Sequence, residues 1–453
     1  MPKISHASKL MDFTQGPVTS KMLTFALPLF FSNILQAVYN IVDMVVVGHY
    51  IGKVGLSAVA VGGDLQMLLT FLSMGFANAG QVIIAQNIGA GQRQRLGKIV
   101  GNLFSFLFCV ALLFSIISIV LQDKLLGWMH TPSEALEMTS GYMLICSTGL
   151  FFIYGYNAVS AILRGMGDAR HPFFFIALAA ILNVALDLLF VVIFELGAKG
   201  AALATVLSQG FSFLLGLLFL YRHRQLLSLQ LDKNCWRIDK ATLLPLIRLG
   251  VPMALKFASV ATSKLFINSW INTFGLIASG CTGIAAKINV MSNLFANAIN
   301  AATSTMVAQN IGAKKYERIP LILRSAYTVV LIICVTLSTT LYTYPQQILS
   351  IFTTDSEVLN SALLMVPIIM LNFLGSAARA PNNGLIDGSG NYKLNLAVAI
   401  FDGIINRVGF GLLFGFWLNM GWIGFLLGDA VAGFTPLVIG TLYYAFGKWQ
   451  KPA

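Results

Sequence analysis

Charge is scarce in this chain. Of its 453 residues, 10% are Asp, Glu, Lys or Arg and 57% are hydrophobic, whereas a water-soluble domain carries roughly 25% charged and about 45–50% apolar residues. With a mean hydropathy of +0.79, water is excluded as the solvent of most of the surface. Cysteine is sparse too. Cys109, Cys146, Cys281 and Cys334 fall in apolar stretches and Cys235 in a polar one, with no CxxC spacing, so neither a disulfide framework nor a zinc site is expected. His6, His49, His130, His171 and His223 stand at or beyond the ends of the apolar stretches, and there is no HExxH or GxSxG. This argues against an enzyme. The segment GQRQRLGK (91–98) has the wrong glycine spacing for a Walker A loop and lacks its Ser/Thr. Residues 1–21 are polar and the first apolar run is too long for a signal-peptide core, so no cleavable leader is expected.

What the chain has is long apolar runs. About 20 such residues span a bilayer as a helix. Twelve candidates appear, near 22–47, 56–82, 99–121, 138–162, 173–194, 200–221, 243–272, 280–306, 321–343, 358–380, 395–417 and 422–446. The runs are continuous rather than alternating, which favours helices over a barrel. The net charge of +12 does not imply nucleic acid. With the N-terminus placed in the cytoplasm, 21 of the 29 Lys and Arg lie in cytoplasmic segments and three opposite, as the positive-inside rule requires. The expected organisation is a cytoplasmic segment at 1–21, a first lobe at 22–221, a linker at 222–242, a second lobe at 243–446 and a cytoplasmic tail at 447–453. That is a multi-pass protein of the cytoplasmic membrane.

The chain is also duplicated. AQNIGA at 85–90 returns at 308–313, Gly165 and Gly167 of LRGMGD (163–168) fall on Gly388 and Gly390 of LIDGSG (385–390), and Asn183 falls on Asn406, all at an offset of 223. Pro28, Gly197 and Gly200 match Pro252, Gly421 and Gly424 at 224. Six helices per repeat is an even number, so the repeats run parallel and are related by an axis along the membrane normal. A substrate path between two lobes, opened and closed by rocking, is the expected outcome. Each AQNIGA reads as a helix C-terminus followed by a basic turn.

Charges inside the bilayer cost roughly 2.5–3.5 kcal/mol each on insertion scales, so they mark functional candidates. In the first lobe Asn183 and Asp187 lie four apart, on one face of helix 5. With Asp43 on helix 1, Asp64 on helix 2 and Thr205 on helix 6, they form a layer of oxygen donors in the outer half. Such donors suit a hard cation, and two neighbouring carboxylates can equally share a proton. Pro28 permits a bend in helix 1. The second lobe differs: Phe410 stands where Asp187 is expected, and Lys256, Lys264, Lys287 and Arg407 accompany Asp402 and Asp429. They read either as internal ion pairs or as a basic cavity wall.

In PLFFSNILQAVYNIVD, AQNIGAGQ, LRGMGD, NVALD, GAKGAALATVLSQ and AQNIGAKK, which together span the chain, the sequence resembles the multidrug and toxic compound extrusion (MATE) family, and within it the prokaryotic DinF-like branch. The resemblance implies an all-α membrane fold of twelve helices in two six-helix lobes forming a V. It implies export of diverse, often cationic organic compounds by cation-coupled antiport against inward H+ or Na+, with no other cofactor. The branch's cation site maps to Asp43, Asn183, Asp187 and Thr205, which would also be the Na+ ligands of a sodium-coupled protein. Its bend proline maps to Pro28, and its drug-contacting positions map to Gln36, Tyr39, Asn40 and Asn157. Asp64 and Lys256 complete the substrate-binding candidates. Lys256 and Lys264, with no acid expected within helix 10, depart from the other branch's second-lobe site. The expected partners are small organic molecules, H+ or Na+ and membrane lipids, without nucleic acid, and a monomer is expected. The alternative within the superfamily is an exporter or flippase of lipid-linked precursors or anionic metabolites. A channel has no need of a lobe-scale repeat.

Overall fold

The computed structural model describes residues 10–447 and Trp449, apart from 226, 228, 230 and 231. Residues 1–9, 448 and 450–453, parts of the expected terminal segments, lie outside the described residues, as do those four linker positions. The described chain is helical throughout. Backbone groups in hydrocarbon must find partners inside their own segment, and helices achieve this.

The twelve membrane helices are helix 1 (Val18–Tyr50), helix 2 (Lys53–Gly89) and helix 3 (Leu96–Val120), followed by helix 4 (Leu136–Thr148 and Leu150–Gly165). Helix 5 (Arg170–Ile193) and helix 6 (Ala198–Arg222) complete the first lobe. The second comprises helix 7 (Lys240–Asn272), helix 8 (Leu276–Gly312) and helix 9 (Ile319–Thr343), helix 10 (Ser356–Leu363 and Val366–Ser389), helix 11 (Tyr392–Trp417) and helix 12 (Gly421–Phe446). Helices 4 and 10 are bent at their breaks, by 47° and 53°. Helix 8 has 37 residues but is not apolar enough to pass as a span by composition. Its Asn289, Asn293, Asn297 and Asn300 need protein neighbours rather than lipid.

Helix 10 corrects one expectation. The apolar run at 358–380 places the end of helix 10 near residue 380, yet the helix continues to Ser389 and stops at Gly390, whose φ is +74°. Helix 10 therefore does carry an acid, Asp387.

The duplication is visible in backbone detail. Gly52 and Gly275, 223 apart, open helices 2 and 8 with φ of +77° and +101°, a region only glycine enters without strain. A Cβ on Gly165 would meet the Gln81 carbonyl at 2.7 Å, and one on Gly388 the Ser304 carbonyl at 2.5 Å. Gln81 and Ser304 are again 223 apart.

The lobes interlock at the end where the linker lies. Phe25, Ala26 and Leu29 of helix 1 belong to the apolar core of the second lobe, while Leu246 of helix 7 belongs to that of the first. Phe30 stacks on Phe295 at 3.8 Å and Phe71 on Phe257 at 5.9 Å. Asn33 donates to the Leu294 carbonyl (3.4 Å), and Gln81 to Thr305 Oγ1 (2.8 Å). These partners lie at the midpoints of their helices or toward the linker side, Phe71 and Phe257 being the outermost. Among the described residues no inter-lobe hydrogen bond or ring contact lies beyond the Phe71–Phe257 pair at mid-height. The lobes form a V, closed at the linker end.

Candidate cation site in the first lobe

Helix 1 carries Asp43 about two turns from its far end, and helix 5 carries Asn183 and Asp187 one turn apart on the same face. All three are buried, with exposures of 8%, 1% and 0%. Immediately after Asp187 the helix widens into a π-turn, Leu188–Ile193. Such turns break the regular i→i−4 ladder and recur at functional sites. Val46, Val47, Tyr142, Val191, Ala198 and Ala202 supply an apolar shell. Tyr142 of helix 4 presses on helix 2, where a Cβ on Gly62 would meet its ring at 2.5 Å.

The carboxyls of Asp43 and Asp187 are within electrostatic range of one another. Yet Asp43 Oδ1, both carboxylate oxygens of Asp187 and both polar atoms of the Asn183 amide are buried with no hydrogen-bond partner. Buried polar groups in folded proteins are nearly always satisfied. No Lys, Arg or His pairs with either carboxylate among the described residues. Two acids in an apolar shell with no cationic partner call for a proton or a metal cation between them. The donor set is four hard oxygens: one from Asp43, two from Asp187 and one from Asn183. It fits H+ or Na+.

The second lobe shows the contrast. Asn406, the counterpart of Asn183, donates to Thr435 Oγ1 at 2.8 Å, and Phe410 replaces Asp187. The equivalent position there is satisfied and apolar.

The other sequence candidates are placed as follows. Thr205 is half-buried on helix 6. Its carbonyl accepts from Ser208 Oγ at 2.9 Å, and no hydrogen bond joins it to Asp43, Asn183 or Asp187. Gln36 is half-buried, Asn40 is exposed, and Asp64 is exposed on helix 2 rather than joined to the two buried acids. Tyr39 accepts from Gln209 Nε2 at 3.4 Å, and Asn157 donates to Ser73 Oγ at 3.2 Å. Helix 1 runs unbroken through Pro28, whose carbonyl accepts from Ser32 Oγ. Lys256 is 7% exposed and locked inside the second lobe, donating to Asp387 Oδ1 at 2.6 Å and Asn395 Oδ1 at 3.1 Å. Its charge is already matched. Tyr142 and Cys146, both within electrostatic range of Asp43, were not singled out from the sequence, because each reads as an ordinary core residue.

Two parallel six-helix lobes, with a cluster of unpartnered polar atoms buried in the first, have the architecture of a membrane transporter rather than an enzyme. The MatE family matches residues 28–189 and again 252–411, one match per lobe and 224 apart at their starts. The chain belongs to this family of multidrug and toxic compound extrusion transporters and is a multi-pass membrane protein. It is 26% identical over 449 residues to a probable multidrug resistance protein of Bacillus subtilis, YpnP, covering 98% of each chain. It is 25% identical to the probable multidrug resistance protein NorM of Thermotoga maritima, covering 96% of this chain and 94% of the relative. Among solved structures, a MOP superfamily transporter from Pyrococcus furiosus superposes with a TM-score of 0.90 at 21% identity, covering 97% of this chain and 99% of its own. An outward-facing multidrug resistance MATE family transporter gives 0.89 at 21% identity, with the same coverage. At such identities these two show a shared fold.

Proposed function

We propose that the protein is a cation-coupled antiporter that exports organic compounds, drugs among them, across the cytoplasmic membrane by alternating access. Asp43, Asn183, Asp187 and Thr205 form its coupling site. The observation that carries this reading is the set of five buried, unpartnered polar atoms on the first three of these residues. When H+ or Na+ neutralises the two carboxylates, the site becomes compatible with its apolar shell. When the cation leaves, the two acids repel. Helix 1 carries one of them and has its other end in the core of the second lobe, so a change of separation at Asp43 is felt at the lobe interface. Pro28, between the two, supplies the place to flex.

With both termini in the cytoplasm, the closed linker end is the inner gate and the V opens outward. Gln36, Tyr39, Asn40, Asp64 and Asn157 then line the substrate path on the first lobe. Residues 10–17 brace the inner gate. Met11 N donates to the Gly167 carbonyl of the first lobe (3.3 Å), and Phe13 N donates to Gln309 Oε1 of the second (3.0 Å). Lys315 Nζ donates to the Thr14 carbonyl at 2.9 Å. These contacts must break before the lobes part inward.

One elementary charge crossing 100 mV supplies roughly 2.3 kcal/mol, enough to drive a substrate gradient without ATP. The test is efflux of a fluorescent organic cation from proteoliposomes with a pH or a Na+ gradient imposed separately. Efflux driven by either gradient is the expected result. Efflux driven by neither would overturn the reading.

A further inference from the structure

The second lobe contains a cavity of about 260 Å³ between helices 7, 8, 10 and 12. Its polar lining includes Lys264, Asn268, Asn289, Asn293, Asn372 and Asp429. Ile267, Met365, Ile368 and Leu426 make its apolar wall. It lies in the far half, away from the inner gate and in the lobe opposite Asp43 and Asp187.

The charges behind this cavity do not balance. Arg407, 1% exposed, reaches both acids of the cluster: Nη2 lies 2.9 Å from Asp402 Oδ1, and Nη1 pairs with Asp429. One guanidinium thus serves two carboxylates. Lys264 Nζ stands 3.9 Å from Asp429 Oδ2, too far for a hydrogen bond, and its side chain is 42% exposed. Arg379 of helix 10 makes no ion pair among the described residues, and its Nε is buried without a hydrogen-bond partner. Arg379 is within electrostatic range of Asp402 and Asp429, so three cations face these two acids. Lys256 and Asp387 form a neutral pair elsewhere and do not alter the count. One positive charge is left over, and the loosely held ammonium of Lys264 is the cation of the cluster that borders the cavity, beside Asp429.

Inorganic cations are excluded by the same geometry, because Asp429 is already flanked by Arg407 and Lys264. The amides add hydrogen-bond donors. Asn293 Oδ1 accepts from Ser376 Oγ at 3.2 Å, which leaves the NH2 of Asn293 to a ligand. Asn289 Oδ1 is buried with no partner, so a donor on the ligand is also accommodated. An ammonium, several amides and an apolar wall together match an acidic head group on a compact apolar body.

We propose that this cavity is a binding site for an organic anion: a carboxylate, sulfonate or phosphate ester with a small apolar body, held by Lys264. That such a compound is also exported rests on the antiporter reading above, while its binding does not. The two lobes would then offer opposite polarities, acids in the first and an excess cation in the second.

The probe is 6-hydroxynaphthalene-2-sulfonate, with the uncharged 6-hydroxynaphthalene-2-sulfonamide as control, titrated by fluorescence against the full chain in nanodiscs. Saturable binding of the sulfonate, tighter than the sulfonamide, is expected. Lys264→Met should weaken it roughly 10- to 100-fold, the worth of a hydrogen bond to a charged group, and Lys264→Arg should keep it within about threefold by retaining the charge. Lys264→Met leaves Arg379 and Arg407 against two acids, a balanced cluster, so the variant should fold. Asn372→Leu is a second test that touches no charge and should weaken sulfonate binding. Equal binding of sulfonate and sulfonamide, no saturable binding, or unchanged affinity in Lys264→Met would overturn the proposal. If Lys264-dependent binding is found but no gradient moves any dye, the site stands and the antiporter reading falls. If gradient-driven dye efflux is intact and the sulfonate does not bind, the site falls alone.

Discussion

Gly89 of helix 2 and Gly312 of helix 8 are reciprocal partners across the lobe interface. A Cβ on Gly89 would stand 1.9 Å from the Gln309 carbonyl oxygen, and one on Gly312 would stand 2.0 Å from that of Gln86. Both glycines and both glutamines belong to the AQNIGA copies, at the repeat's own spacing of 223. The duplicated motif thus forms the seam where the two lobes close on each other, and glycine is required because backbone meets backbone.

Widening that seam should hold the lobes apart. Gly89→Val or Gly312→Val inserts side-chain atoms where a backbone carbonyl already sits, and overpacking of this kind costs roughly 1–3 kcal/mol. Spin labels placed on the linker side of helices 2 and 8 should report a longer distance in either variant, with reduced transport. An unchanged distance would mean that the seam does not set the closed state.

On the proposed coupling mechanism, replacing either first-lobe acid removes the repulsion that would release the cation. Asp187→Asn should fold normally and elute as a single species, yet show no gradient-driven efflux above protein-free liposomes. Asp43→Asn should behave alike. Wild-type efflux in Asp187→Asn would remove helix 5 from the coupling site.

Arg407 is the structural keystone of the second lobe. Arg407→Met leaves Asp402 and Asp429 without their shared partner, and breaking a buried ion pair on one side costs roughly 3–5 kcal/mol. Thermal unfolding in detergent should move down markedly. The triple variant Arg407→Met, Asp402→Asn, Asp429→Asn should regain much of the loss, and failure to regain it would assign the cost to packing instead.

At the membrane surface, Asp239 caps helix 7. It accepts from the Thr242 amide (3.1 Å) and hydroxyl (2.7 Å) and pairs with Lys98 at 3.0 Å. The Thr242 hydrogen bond and then Lys98 hold its carboxyl below the usual carboxylate range. A lowered folded-state value means that this contribution is present above the ordinary carboxylate pKa of about 4 and is lost as pH falls through the folded value. Asp239→Ala should therefore lower thermal stability by a constant amount between about pH 5 and 7. The gap to wild type should narrow below about pH 4. A gap that does not change with pH would show that charge plays no part.

Much of the fold was legible because bilayer helices write themselves as long apolar runs and the duplication fixed their pairing. Helix 8 was legible through its repeat partner, helix 2, despite its asparagines. The far end of helix 10 was not. The apolar run ends near residue 380, yet the helix continues past Gly388, where the missing Cβ lets the Ser304 backbone pass close by. That misreading hid Asp387, and with it the partner of Lys256, which lies 131 residues away in sequence. The two helix 5 candidates stood out because a charge in hydrocarbon is costly. Whether an asparagine is satisfied is a tertiary fact: Asn183 and Asn406 occupy the same place in the repeat, and only Asn406 has a partner.

The most direct test runs the exchange backwards. Proteoliposomes are loaded with an organic cation that the wild type exports, diluted into dye-free buffer, and followed for counter-movement of H+ with an internal pH dye or of Na+ with a tracer. The wild type should move one of these cations against the dye flux, and Asp43→Asn and Asp187→Asn should move neither. Dye-driven cation movement of wild-type size in both variants would contradict the assignment of the coupling site to the first lobe.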